Sequence, residues 1–143
     1  MARIIFADDD PLLGEMVASA LINAGHAVGW VGDGEQAIRA IQFRPPELVI
    51  LDLDMPEATG MDVLREMRRV RALSRIPVLM LTANAGREDQ NIAYYDGADD
   101  YLTKPCDPEE VVFRAEVLIR QHSRSVESPQ EPRSSHAAHR WVS

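Results

Sequence analysis

A chain of 143 residues that is 45% hydrophobic holds enough apolar material for one domain with its own core. Its formal net charge of −8 speaks against a bare nucleic-acid-binding surface. A single cysteine, Cys106, excludes an intramolecular disulfide framework, and no apolar run approaches the ~20 residues that cross a bilayer. Met1-Ala2-Arg3 leads into only four apolar residues before three aspartates, which is not a secretory leader, so the cytoplasm is the expected setting.

Arg3-Ile4-Ile5-Phe6-Ala7 reads as a short buried strand that stops at Asp8-Asp9-Asp10. Asp10 before Pro11 is a helix start, with the aspartate as cap and nothing more. Leu12, Leu13, Met16, Val17, Ala20 and Leu21 recur at helical spacing, and Gly25 lies past the end. His26 to Val31 is a second strand. Gly32-Asp33-Gly34 turns it into a helix through Glu35, Ala37, Ile38 and Ile41, which Pro45-Pro46 stops.

Leu48-Val49-Ile50-Leu51 is a third strand, apolar enough to be buried on both faces, and it ends at a carboxylate, Asp52. Met55-Pro56 then forces a loop, and Thr59-Gly60 opens a helix in which Met61, Leu64 and Met67 share a face. Arg65, Arg68, Arg69 and Arg71 are expected largely outside that face. Pro77 to Leu81 forms a fourth strand, followed by Thr82-Ala83-Asn84. A polar helix is expected over about 86–96, ended by Gly97.

Tyr101-Leu102-Thr103 is a fifth strand, closed by Lys104-Pro105. Asp107-Pro108 repeats the earlier start signal, and Val111, Val112, Ala115, Leu118 and Ile119 carry a last amphipathic helix. From His122 onward Ser, Pro, Arg, Gln and His dominate. That composition predicts one domain over 1–121 and a disordered tail or the start of a linker over 122–143. His136 and His139 in that tail have metal-ligand spacing but no helical pattern to support it.

Five strands alternating with five helices predict an α/β fold with a doubly wound parallel sheet, for which an order such as 2-1-3-4-5 is the economical solution. In such a sheet the residues that follow the strands share one edge. Asp8 and Asp9 follow strand 1, Asp52 and Asp54 strand 3, Thr82 strand 4 and Lys104 strand 5. Strands 1 and 3 are neighbours in this order, which brings Asp9 and Asp52 to one pocket. Close carboxylates raise one another's pKa unless a cation neutralises them, and hard oxygen ligands suit Mg²⁺ or Mn²⁺.

The chain resembles the receiver domain of two-component response regulators over residues 2 to about 121. The matching pieces are Asp8-Asp9, Asp52-x-x-Met55-Pro56, Thr82-Ala83 and Gly97-Ala98-Asp99-Asp100-Tyr101-Leu102-Thr103-Lys104-Pro105. The resemblance implies a flavodoxin-like receiver fold and a role for each residue. Asp52 would be the phosphoacceptor, attacking phosphorus to form an acyl phosphate. Asp9 would hold the metal directly and Asp8 through water. The Asp52 side chain and the Asp54 backbone carbonyl would complete the shell.

Thr82, Ala83 and Lys104 would bind phosphoryl oxygens, Thr82 and Tyr101 would form the switch, and the Lys104-Pro105 peptide would be cis. The donor would be a sensor histidine kinase or histidine phosphotransfer protein. The output would run through a downstream protein target, with no direct nucleic-acid or membrane binding by this domain. Such a domain catalyses only its own phosphorylation and dephosphorylation and is not a turnover enzyme.

Asp99, Asp100, Glu110 and Arg114 fit the ion-pairing surface through which winged-helix members of the family dimerise. Gln90 stands where a basic partner for Glu110 is expected. Cys106 replaces a common phenylalanine and reads as small apolar filling. Asp54 and Asn84 hold positions that tune phosphoryl lifetime.

Two alternatives accompany this reading. One is the regulatory half of a longer DNA-binding response regulator. The other is a Mg²⁺-dependent phosphatase of the haloacid-dehalogenase type, against which Pro56 and the short chain both count.

Overall fold

The computed structural model describes residues 1–83 and 97–127, with side chains described to residue 124. In order they form β1 (Arg3–Ala7), α1 (Pro11–Asn23), β2 (Ala27–Val31), α2 (Gly34–Phe43), β3 (Leu48–Asp52), α3 (Gly60–Arg69), a 3₁₀ turn (Arg71–Leu73), β4 (Val78–Thr82), β5 (Asp100–Thr103) and α4 (Pro108–Glu127). The helix expected over about 86–96 lies outside the described residues, as do Asn84, Gln90, His136 and His139. All strand pairings are parallel, and the five strands lie in the order β2-β1-β3-β4-β5, the order expected from sequence.

Alternation along the strands divides the core in two. Ile5 and Ala7, Val49 and Leu51, Val78 and Met80, and Tyr101 face α2 and α3, where they meet Ala37, Ile41, Val63, Leu64 and Met67. Ile4 and Phe6, Leu48 and Ile50, Leu79 and Leu81, and Leu102 face α1 and α4, where they meet Val17, Leu21, Val111, Ala115 and Leu118. Both faces of β3 and β4 are covered, which is why those strands read as unbroken apolar runs. At the edge, β2 is half open.

Local chemistry starts the helices where expected. The Asp10 carboxylate accepts from the backbone N–H groups of Leu12 and Leu13 at 3.0 and 3.3 Å, ahead of Pro11. Asp33 caps α2 through Gln36 N at 2.8 Å. Thr59 and Asp62 form a reciprocal capping box on α3.

Three sequence expectations need correction. On α1 the inward residues are Gly14, Val17, Ala18 and Leu21, whereas Leu12 and Met16 are exposed and Ala20 only half-buried. The helix presents Gly14 because the Trp30 ring of β2 lies there: a Cβ on residue 14 would stand 2.0 Å from the ring. The last helix does not stop at residue 121 but runs to Glu127. Gln, His, Arg and Glu are adequate helix formers, no Gly or Pro intervenes before Pro129, and adding turns to a formed helix costs little.

Arg68 is not a surface residue of α3. Its guanidinium donates to Gly97 O at 2.9 and 2.7 Å, to Ser74 O at 3.2 Å and to Ile76 O at 2.8 Å, and pairs with Asp99 Oδ2 at 3.0 Å. Asp99 Oδ2 in turn accepts from Val78 N at 2.8 Å. The planar fork thus ties the end of α3 to the entries of β4 and β5. Gly97, at φ +110°, leaves room for it, since a Cβ there would lie 2.8 Å from Arg68 Nε. Arg68→Met is expected to lower stability by about 2–3 kcal/mol, because buried carbonyls lose their donors. Arg68→Lys should restore less than half of this, since an ammonium cannot span the same acceptors. Urea denaturation of the three proteins measures both.

Candidate functional site

The site lies where β1, β3, β4 and β5 end. Ala7 pairs with Leu51, so Asp8 and Asp52 follow on adjacent strands, and by alternation both belong to the face that carries Phe6 and Ile50. Asp8 is fully buried, Asp52 is 4% exposed, and Asp9 is exposed. Carboxylate oxygens of the three lie within 4.8 Å of one another. Asp8 is fixed from both sides: its N–H donates to Val31 O at 3.1 Å, and its Oδ1 accepts from Asp10 N at 2.9 Å. Asp52 Oδ1 accepts from Asp54 N at 3.3 Å, which leaves the exposed Asp54 side chain outside the cluster.

Lys104 enters from the end of β5. Its Nζ stands 2.8 Å from Asp8 Oδ2 and 3.4 Å from Asp52 Oδ2, so its nearer partner is Asp8, a pairing that sequence reasoning did not anticipate. Burial works against the charge on Lys104, but the carboxylates of Asp8 and Asp52 outweigh it and hold its pKa above the ordinary value. Asp52 moves the other way for an acid. Burial first, and then the Asp8 charge, push its pKa from 3.8 to about 6, against the opposing pull of Lys104 and the Asp54 N–H.

Thr82 is the last residue of β4 and is fully buried, and its carbonyl accepts Lys104 N at 2.7 Å. Ala83 is exposed and lines the mouth of the site with Asp10, Leu13, Lys104, Pro105 and Cys106. The Lys104–Pro105 peptide is cis. Tyr101 is buried among Met80, Val78 and Ala98. Burial and the Glu110 charge raise the Cys106 thiol, which favours the unreactive protonated form.

The loop behind Asp52 is held closely. Gly60 N donates to Leu53 O at 3.0 Å, and a Cβ on Gly60 would stand 2.2 Å from the Asp52 carbonyl, so only glycine lets α3 begin there. Farther along, Ala58 N donates to Pro56 O at 2.8 Å around Glu57, whose φ of +72° marks a tight γ-turn.

The acidic cluster fits a divalent cation. Asp8 Oδ2 is buried and accepts no aligned hydrogen bond; its neighbour is the Lys104 ammonium at ion-pair distance. Hard oxygens with an exposed mouth at Asp9 suit a small cation that keeps part of its water shell.

The surface residues divide. Arg114 Nη1 reaches both Asp100 oxygens at 3.1 Å, and its Nη2 reaches Glu110 Oε2 at 3.3 Å, all within one chain. The Asp100 hydrogen bonds raise the Arg114 pKa further. Asp99 does not join them: its Oδ2 is bound to Arg68 and Val78 N, which draws the carboxylate inward. Sequence reasoning missed Arg68 and also Trp30, whose Nε1 donates to Asp8 O at 2.9 Å. Neither carries a sequence signal, because both act on backbone carbonyls that only the folded chain brings near.

A family model described as the response regulator receiver domain matches residues 4–116. The chain belongs to this family. It is 41% identical over 120 residues to the DNA-binding response regulator MtrA of Mycolicibacterium smegmatis, covering 84% of this chain and 51% of that protein. It is 42% identical over 126 residues to the DNA-binding dual master transcriptional regulator RpaA of Synechocystis, covering 87% and 52%. The chain thus spans about half the length of the curated relatives it matches.

Among solved structures, the receiver domain of the Francisella response regulator 1452 superposes with a TM-score of 0.79 at 26% identity, covering 85% of this chain and 98% of that one. A response regulator from Chloroflexus aurantiacus gives 0.79 at 30%, covering 83% and 98%. The family match displaces the haloacid-dehalogenase alternative. No described helix is long and apolar enough to cross a membrane.

The raised Asp52 pKa makes stability depend on pH. Well below pH 3.8 the carboxyl is protonated in both folded and unfolded chains and contributes nothing. As pH rises through about 6, the folded chain must carry a buried carboxylate that the unfolded chain carries freely, a cost of roughly 3 kcal/mol at most. Metal-free Asp52→Asn is therefore expected to be more stable than the parent at pH 7.5 by about 1–3 kcal/mol, and the difference should close by about pH 3. Urea denaturation in a chelator across this range checks it.

Proposed function

We propose that this receiver takes a phosphoryl group on Asp52 from a histidine-phosphorylated donor, a sensor histidine kinase or a phosphotransfer protein. The observation that carries the reading is the convergence of a buried aspartate, two further acidic side chains and Lys104 at the end of the central strand. In the step, an Asp52 oxygen forms a bond to phosphorus as the phosphorus–nitrogen bond of the donor breaks, and the departing imidazole keeps the electron pair.

Asp8, Asp9, the Asp52 side chain and the Asp54 carbonyl would hold Mg²⁺ or Mn²⁺. The cation would screen the repulsion between two anions and stabilise charge on the transferred group. Lys104 moves its ion pair from Asp52 to a phosphoryl oxygen. Thr82 donates its hydroxyl to another, and the Ala83 N–H to a third. Water later cleaves the acyl phosphate at the same place, so the domain modifies itself and releases no separate product. It acts in the cytoplasm.

The consequence is a shift between two states rather than a new shape. Thr82 and Lys104 are joined by the Lys104 N–H to Thr82 carbonyl bond, so a pull on either moves the entry to Tyr101. Tyr101 then changes its packing and alters the surface formed by β5 and α4, which binds a downstream protein or a second copy. A homodimer would exchange the present Arg114 pairs with Asp100 and Glu110 for pairs across the interface.

The half-length match to two relatives whose names include DNA binding supports a second reading, in which this receiver regulates a DNA-binding portion of a longer protein. The receiver itself, at net charge −8, would not touch DNA.

Intact mass after incubation with acetyl phosphate or a phosphorylated kinase tests the assignment. The parent is expected to gain one phosphoryl group only with Mg²⁺ present. Asp52→Ala should gain none. Lys104→Ala should still bind the cation but lose phosphorylation rate by about 10²-fold or more. A parent protein that gains nothing from any kinase donor would overturn the reading.

A further inference from the structure

Asp8 is the most enclosed member of the acidic cluster, and its backbone carbonyl is held in an unusual way. The β1–β2 ladder ends with Asp8 N donating to Val31 O; one residue on, Gly32 N turns aside to the Gln36 side chain at 3.4 Å. The Asp8 carbonyl at this frayed end receives the Trp30 indole N–H at 2.9 Å. Trp30 is 40% exposed, yet its ring is pinned. Gly14 of α1 lies against it so closely that a Cβ would stand 2.0 Å from Cζ2 and 2.8 Å from Nε1. Two sequence-distant features, a glycine inside a helix and a tryptophan on an edge strand, therefore meet at the peptide that joins Asp8 to Asp9.

We propose that Trp30, seated on Gly14, is a positioning residue for the acidic cation site. Its N–H fixes the Asp8–Asp9 peptide, so that the exposed Asp9 carboxylate is aimed from a set origin toward Asp8 and Asp52. Partners that orient ligands in this way are worth about tenfold or more in metal affinity, and one neutral hydrogen bond gives a similar scale. The inference rests on the cation reading given above and adds to it a residue that touches neither the cation nor the phosphoryl group.

The test is calorimetric titration with Mg²⁺ and Mn²⁺ of the parent, Trp30→Phe, Gly14→Ala and Asp9→Asn, with the melting temperature of each metal-free protein. Trp30→Phe and Gly14→Ala should each weaken cation binding about three- to thirtyfold. The double variant should be no weaker than the weaker single one, since both act through one bond. Asp9→Asn should bind at least a hundredfold more weakly.

If Trp30→Phe binds within twofold of the parent while Asp9→Asn does not, Trp30 is a packing residue, and the inference falls while the cation site stands. A lower metal-free melting temperature with unchanged affinity overturns it equally. If Asp9→Asn binds like the parent, the cation reading fails and takes this inference with it. Should Trp30→Phe not fold, replacement by benzothienylalanine keeps the ring shape, removes only the N–H and decides the question by the same affinity.

Discussion

Two carboxylates and an ammonium share a pocket that water scarcely reaches, and the rest of the structure is arranged to permit it. Asp8 and Asp52 come from adjacent strands of a sheet covered on both faces, so neither can turn to solvent. Lys104 offsets part of their repulsion, sitting closer to Asp8 than to Asp52. What is left shows in Asp52, whose proton affinity is raised chiefly by burial and then by Asp8. A site with excess negative charge and a buried oxygen lacking an aligned donor is poised for a cation. Any cation that binds the folded chain alone stabilises it by mass action. The instability is local and belongs to the proposed function; the hydrophobic layers on either side of the sheet offset it.

Delivering these groups together needs little beyond strand parity and a few close approaches. Alternation sends Asp8 and Asp52 to the same side as Phe6 and Ile50. Gly60 lets α3 begin against the Asp52 carbonyl, and Gly14 lets Trp30 reach the Asp8 carbonyl. Each glycine is used where a methyl group would collide with backbone or ring, so its role is contact distance rather than flexibility. Arg68 performs the matching task away from the site, closing the carbonyls at the entries of β4 and β5 with one rigid fork.

Periodicity and end signals carried most of the fold. Buried runs at Leu48–Leu51 and Pro77–Leu81, proline after a capping aspartate, and carboxylates at strand ends were all readable because each is a local pattern with one physical cause. Right-handed crossovers favoured the strand order, and the family resemblance supplied it as much as they did. The failures share a different origin. Leu12 and Met16 satisfied helical spacing, but the rotation of α1 is decided by Trp30 against Gly14, a contact between two elements. Arg68 looked like one of four arginines on a polar face, and only the folded chain gathers the carbonyls it serves. Asp99 looked like a surface charge for the same reason. The end of α4 was misjudged because composition weighs burial, whereas a helix already anchored by Val111, Ala115 and Leu118 extends on propensity alone.

The same contacts limit how a change at Asp52 can spread. The carbonyl of Gly97 and the carboxylate of Asp99 are bound by Arg68, so β5 starts from a point fixed to α3. At its other end β5 is tied to β4 through Thr82 and Lys104, the two side chains proposed to meet the phosphoryl group. A strand held at its start and pulled at its end cannot translate; it can only adjust the side chains between. Tyr101 and Leu102 are those side chains, one on each face of the sheet. Leu102 belongs to the layer against α1 and α4, while Tyr101 belongs to the opposite layer with Met80 and Ala98. The proposed switch therefore falls to Tyr101, which shares its layer with Leu51, the residue before Asp52, and pairs in register with Met80 of β4.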